Sequence, residues 1–188
     1  AHKKYKNCFL TTPTLYDKNS SLTYNAGSFL DSKNKNEVLH LEGDICADIV
    51  LGSAILYKKE DIIKIGLFDE NFFVYFLDND LCKRIKQKNM SVIQVFSAKA
   101  IHSHGQSKVK NFLKRVYNRY YNFTYDELYY YYKTNNSNQK FDILKKKTNN
   151  YIFKFILNLL TFRIEKSLQY FALIRAYYSF KNFLNKNR

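Results

Sequence analysis

The stretch Gly66-Leu67-Phe68-Asp69-Glu70-Asn71-Phe72-Phe73-Val74-Tyr75-Phe76-Leu77-Asp78-Asn79-Asp80-Leu81-Cys82-Lys83-Arg84 decides how this chain is read. Its first half, to Tyr75, is aromatic but follows neither the helical period nor strict alternation, so it reads as a loop. From Asp78 to Lys88 the pattern turns helical, with Leu81, Cys82 and Ile85 inward and Lys83, Lys86 and Lys88 outward. Just upstream, Lys59 to Ile65 reads as a short helix ending at Gly66, where a left-handed C-cap costs glycine least.

Working outward, Ile45 to Tyr57 is apolar and broken by Gly52-Ser53-Ala54. It reads as a strand, a close backbone approach, then a strand or helix start. Cys8-Phe9-Leu10 is a short apolar strand, Asp17 to Ser21 a polar turn, and Tyr24 to Leu30 a second extended piece around Gly27; residues 31–44 form a polar loop. Downstream, Ser91 to Phe96 and Ala100 to His102 read as two strands, the second running into a polar turn from Ser103 to Ser107. This is an α/β layer pattern. After Lys108 two or three basic, aromatic helices follow, with a polar break at Thr134 to Lys140. Ile152, Phe155, Ile156, Leu159 and Leu160 make one helical stripe, with Lys154, Asn158 and Thr161 opposite; Tyr170, Leu173, Tyr177, Phe180 and Leu184 make a second. The division is therefore placed between residues 1–107 and 108–188.

The chain's 188 residues, 46% hydrophobic, suit one ordinary domain or a small domain with an appendage. Its aromatics are 17 Tyr and 16 Phe, with no Trp. The formal charge of +15 is uneven: residues 1–104 carry a net +2 and the remaining 84 a net +13. Such a tail calls for a polyanionic partner (nucleic acid, an anionic membrane face or a phosphorylated lipid) unless it reflects a Lys-rich compositional background. Cys8, Cys46 and Cys82 are widely spaced with no CxxC pair, which supports neither a disulfide framework nor a zinc site and fits a reducing cytosol. No apolar run approaches the ~20 residues of a membrane span; the best, Tyr151 to Phe162, is interrupted by Lys154 and Asn158. Ala1-His2-Lys3-Lys4 leads into no apolar leader, and the expectation is that the chain begins inside a longer product.

The opening stretch resembles the signature of family 2 glycosyltransferases, above all the rhamnosyltransferase-like ones, whose pattern is roughly G-x-F-D-E-x-F-F-x-Y-x-E-D-x-D-L-x-x-R. Val50-Leu51-Gly52-Ser53-Ala54-Ile55-Leu56 resembles that family's V-x-G-A-A-x-L segment, and Ile101-His102-Ser103-His104-Gly105-Gln106-Ser107 its I-H-x-x-G-x-S element. The three occur in family order, and the likeness covers about residues 8–133. It implies the C-terminal, acceptor-side half of a GT-A (Rossmann-like) domain, followed by a basic amphipathic helical tail. The implied reaction is inverting transfer of a hexose or deoxyhexose, such as rhamnose, from a nucleoside diphosphate sugar to a cell-surface glycan or lipid-linked acceptor. The implied place is the cytoplasmic face of the bacterial plasma membrane, with the tail lying peripherally on anionic lipid.

The resemblance also assigns roles. An inverting transfer needs a carboxylate that takes the acceptor hydroxyl's proton as its oxygen attacks, and motif position makes this Asp78. A helix start would hold that carboxylate in a field favouring ionisation, although an N-cap is the plainer use of an aspartate there. Asp80 is a second acidic position that orients or hydrogen-bonds. His102 matches a histidine that completes the coordination of Mn²⁺ or Mg²⁺ on the donor diphosphate, with His104 able to substitute. Gly52, Ser53 and Ala54 are small where backbone approaches a sugar, or form a plain bulge. Phe73, with Phe72 and Tyr75, lines an acceptor groove or belongs to the core.

Two departures stand out. Leu77 occupies the place of the family's Glu before the catalytic Asp. The nucleotide-binding strand–helix units and their D-x-D motif would lie upstream of Ala1, roughly 90 residues at about 30 per unit. The alternative is a non-catalytic truncated remnant or interaction module. Nucleic acid is the least favoured partner, because no nucleic-acid motif is present and the charge is dispersed over amphipathic helices.

Overall fold

The computed structural model describes residues 1–21, 26–27, 42–103, 111–134 and 137–187. Most of the polar loop, much of the extended piece around Gly27, and the turn beyond Ser103, His104 included, lie outside the described residues. The chain is mixed α/β and groups into two units. The first comprises described residues of Ala1–Asp69 and Leu77–Gln106; the second comprises Glu70–Phe76 and those of Ser107–Arg188.

In the first unit, β1 (Cys8–Tyr16) runs parallel to β6 (Ser91–Ile101). β3 (Ile45–Ala47) pairs antiparallel with the outer side of β6, and β5 (Leu56–Tyr57) antiparallel with the outer side of β1. The order is β3-β6-β1-β5, beside a two-stranded pair of β2 (Ala26–Gly27) and β4 (Ile49–Val50). β1 is longer than its apolar core predicts because Thr11, Thr12 and Thr14 are buried, β-branched residues that suit a pleated surface. Pro13 interrupts that run, and it sits where the pairing with β6 jumps from Pro13–Val95 to Thr14–Lys99. Proline is tolerated there because a bulge asks for no ladder N–H at that point. The same jump explains why β6 is one strand where two were expected. Its out-of-register residue Phe96 donates its N–H to Asp44 Oδ1 at 2.9 Å, and the other oxygen, Oδ2, accepts from Tyr5 Oη at 2.7 Å and from Lys4 Nζ at 3.4 Å.

Two helices cover this sheet. α1 (Lys59–Lys64) ends in a Schellman arrangement, with Gly66 N–H on Ile63 carbonyl and Leu67 N–H on Ile62 carbonyl, at a Gly66 φ of +93°. α2 (Leu77–Gln87) buries Leu81, Cys82 and Ile85 as its period predicts, and Asp80 as well. Phe9, Leu10, Leu81, Ile85 and Val92 have no exposed surface and form the centre of the core. Each contributes about 1.5–3 kcal/mol of apolar burial. The chain then reverses within Lys88–Met90 to enter β6, so the start of α2 and the end of β6 face the same end of the sheet.

The second unit consists of α3 (Phe112–Lys133), α4 (Ser137–Leu160) and α5 (Ile164–Lys186), which pack mutually. Asn111 caps α3 by accepting the Lys114 N–H at 3.0 Å. The polar break is narrower than expected, since α4 already begins at Ser137. The aromatic loop Glu70–Phe76, expected within residues 1–107, belongs here instead. Tyr121, Tyr125 and Tyr129 recur every four residues along one face of α3. Phe73 packs on Tyr121 and Tyr125, and Phe72 sits edge-on to Tyr129 at 4.8 Å. Buried Asp126 fixes the same loop: its carboxylate accepts the N–H groups of Phe73, Val74 and Tyr75 at 2.8, 2.9 and 2.7 Å.

The two apolar stripes fare differently. On α5, Tyr177 and Phe180 are buried, as a packed stripe requires. On α4 the expected stripe is only partly engaged: Phe155 packs on Phe171, but Ile152, Ile156, Leu159 and Leu160 are exposed while Asn158 is buried. α4 meets α5 through Tyr151 on Tyr170, Phe155 on Phe171 and buried Ser167, and this seam accepts polar groups that satisfy themselves locally. Asn158 Nδ2 donates to Lys154 carbonyl at 2.6 Å, and Ser167 Oγ to Phe155 carbonyl at 3.2 Å. Among the described residues no helix is long and apolar enough to cross a membrane.

Candidate functional site

The site assembled in the first unit centres on Asp78. α2 starts one residue earlier, so Asp78 lies inside the first helical turn and is not the capping residue. Its Oδ2 accepts the Gly52 N–H at 2.9 Å and its Oδ1 the Asn79 N–H at 3.0 Å. Two segments 26 residues apart in sequence thus meet through a single carboxylate. Gly52 is exposed, and the reason it is small is steric. A Cβ there would lie 3.2 Å from Asp78 Cβ and 3.3 Å from Asp78 Oδ2, so the carboxylate would have to retreat. Each carboxylate oxygen keeps a second lone pair after these bonds, and Asp78 is only half-buried. The arrangement can therefore accept a hydroxyl proton from a ligand while the backbone holds its orientation.

Ser53 is exposed and Ala54 half-buried in the same turn. Buried Thr12 anchors the turn by donating its hydroxyl to the Ala54 carbonyl at 2.8 Å. Between β1 and the Ala54–Leu56 segment lies a cavity of about 290 Å³, with Thr11, Pro13 and Val95 in its wall. It is mostly apolar, and of the small-residue turn only Ala54 lines it.

Asp80 is almost wholly buried, and Arg84 Nε donates to its Oδ2 at 2.9 Å. The Arg84 guanidinium also donates to the carbonyls of Ile65 and Leu67, both at 2.6 Å. Asp80 thus orients Arg84, which ties α2 to the exit of α1, and it does not present a carboxylate to a ligand. Sequence reasoning left Arg84 without a role; the signal was its i, i+4 spacing from Asp80 on a helix. Asp126, missed too, had no local signal, since its three partners lie more than fifty residues upstream.

His102 follows β6 directly and donates its backbone N–H to the Tyr16 carbonyl at 2.8 Å. It sits half-buried beyond the carboxyl ends of the parallel β1–β6 pair, the end of such sheets where ligands collect. Among the described residues no three His, Cys, Asp or Glu side chains form a group able to hold a metal ion. One imidazole does not make a Mn²⁺ or Mg²⁺ site, and the other oxygens would have to come from a bound diphosphate or another segment. Phe73 belongs to the second unit, where part of its ring is covered by Tyr121 and Tyr125 and 54% of the residue is exposed.

Cys82 sits beneath this site, and burial pushes its thiol up to about 11, so it is no nucleophile at neutral pH. Compared with family models, with curated proteins and with solved structures, the chain gives no significant match. The motif resemblance and the geometry therefore carry the functional reading between them.

Proposed function

We propose that the chain is the acceptor-side part of an inverting GT-A glycosyltransferase, with Asp78 as general base. The observation that carries this reading is the bond from Gly52 N–H to the Asp78 carboxylate, which joins two segments that resemble family motifs. In the proposed reaction an acceptor hydroxyl donates its proton to Asp78 while its oxygen forms the new bond to the anomeric carbon. The bond from that carbon to the diphosphate oxygen breaks, and the nucleoside diphosphate leaves from the opposite face. Gly52 and Asn79 hold the carboxylate in line, and Gly52 leaves room for the sugar's approach. His102 would help hold a divalent cation, whose chemistry would be to neutralise the leaving diphosphate, with the remaining ligand oxygens supplied by the donor or another segment. A hexose or deoxyhexose donor, and a glycan or lipid-linked acceptor, follow from the resemblance alone.

Leu77 in place of the family's Glu supports a second reading, a non-catalytic module of the same descent. One assay separates them. The chain, expressed together with a donor-binding region, is offered nucleoside diphosphate sugars, Mn²⁺ and a lipid-linked acceptor. On the transferase reading turnover occurs, and Asp78→Asn lowers kcat by about 10²–10⁴-fold with an unchanged circular dichroism spectrum. Turnover that survives this substitution removes Asp78 from the chemistry, and no turnover with any donor favours the module.

A further inference from the structure

The apolar surface that α4 turns outward continues through the turn into α5. Phe153, Ile156, Leu157 and Leu160 are exposed along the last two turns of α4. Phe162 is 87% exposed at a φ of +55°, and Ile164 opens α5 uncovered. An exposed apolar cluster of this kind marks a contact surface, in contrast to single scattered residues. It is not a helix waiting to be turned over, because the opposite face is engaged: Asn158 is buried, Tyr151 stacks obliquely on Tyr170, and Phe155 on Phe171.

The charge beside this tip is mostly positive. Arg163 and Lys166 are exposed, half-buried Lys154 lies less than two turns back on α4, and between Lys154 and Lys166 the only acidic residue is Glu165. A second copy of the chain meeting this surface would bring two such cationic tips together. An apolar protein partner would leave the lysines unanswered. A lipid surface bearing phosphate head groups satisfies both halves of the pattern, and aliphatic and aromatic side chains flanked by lysines are what an interfacial helix needs.

We propose that the tip of the α4–α5 hairpin docks peripherally on an anionic lipid bilayer. Phe153, Ile156, Leu157, Leu160, Phe162 and Ile164 enter the boundary between head groups and acyl chains, and the surrounding lysines and Arg163 meet lipid phosphates. The contact is shallow, since no described helix can cross the bilayer. This inference does not depend on the transferase reading, and its test measures no turnover.

Because the chain has no Trp, Phe162→Trp makes the full chain report from one position. With phosphatidylglycerol-containing vesicles its emission shifts to the blue and is quenched by lipids brominated on the acyl chains. With pure phosphatidylcholine, or after about 0.5 M salt is added, binding weakens by on the order of tenfold. Phe162→Asp, at an exposed turn position, keeps the helical circular dichroism and loses vesicle co-sedimentation by a similar factor or more. Three results overturn the proposal: a Trp unmoved by phosphatidylglycerol vesicles, a Trp already blue-shifted without lipid in a concentration-dependent way, which assigns the tip to a second copy, or an equal response to RNA.

Discussion

Replacing Asp126 by alanine removes the carboxylate that accepts the backbone N–H groups of Phe73, Val74 and Tyr75. Three N–H groups converge on its carboxylate at 2.8, 2.9 and 2.7 Å, and the residue itself has no exposed surface. Hydrogen bonds to a charged group contribute about 1.5–3 kcal/mol each, so the unopposed sum is about 4.5–9 kcal/mol. Two effects reduce it. Burial opposes the charge, enough to raise the Asp126 carboxyl above its ordinary value despite the N–H bonds that pull it down. Phe73 and Val74 are more than half exposed, so water reaches part of the loop once the carboxylate is gone. The expected loss is about 3–5 kcal/mol in the second unit, the range for removing one partner from a buried charged network. Asp126→Asn, which keeps one acceptor oxygen, loses roughly half as much. Urea denaturation followed by helical circular dichroism gives both numbers, and hydrogen exchange at Phe73, Val74 and Tyr75 localises the effect. A loss below about 1 kcal/mol for the alanine variant, with exchange at those amides unchanged, would refute the reasoning, because the loop would then be held by its aromatic contacts alone.

Other outcomes follow from the first unit. Arg84→Lys removes a fork that reaches Asp80 and two carbonyls together, and lysine cannot span all three. The first unit should lose about 2–4 kcal/mol in denaturant melts, and a near-neutral result would mean that the turn after α1 is held by Gly66 alone. In thiol labelling at pH 8, exposed Cys46 should react first, and Cys82, raised to about 11 by burial, only as fast as the unit opens. Prompt labelling of Cys82 in the folded chain contradicts its place in the core. Asp44 is held below its ordinary value of 3.8 first by the Tyr5 hydroxyl and next by the Phe96 N–H. A depressed carboxylate stabilises the fold above its unfolded value, and that stability is lost as pH falls through the folded value. Tyr5→Phe should therefore raise the Asp44 titration midpoint, read by NMR, and move acid unfolding of the first unit to higher pH; an unmoved midpoint leaves the Phe96 N–H as the dominant partner.

What could be read from the sequence, and what could not, divides along the range of the interactions involved. The inward face of α2 and the stop at Gly66 are local: a 3.6-residue period and a left-handed cap need no knowledge of the rest of the chain. The extent of β1 was obscured because Pro13 interrupts its threonine run, and a proline inside a run argues against a paired strand. The run's fit depends on the bulge opposite, and that bulge is held by Asp44, fifty-two residues from Phe96. Gly52 was legible as a close backbone approach, yet composition could not say what it approaches. Only the motif resemblance put Asp78 in the same site, and the 2.9 Å bond is independent of that resemblance.

The outward stripe of α4 carries the same lesson further. Periodicity shows that a helix is amphipathic but not which face its neighbour wants. The side of α4 with Tyr151, Phe155 and Asn158 packs on Tyr170, Phe171 and buried Ser167 of α5, and the side with Phe153 and Leu160 does not. The exposed stripe still has to be reconciled with water. The hydrophobic effect opposes leaving six large apolar side chains uncovered, and Lys154, Arg163 and Lys166 beside them oppose covering the tip with another copy of itself. An anionic surface with an apolar interior removes both penalties at once. That is why the least predictable feature of the helical unit is the one that most narrows its partner.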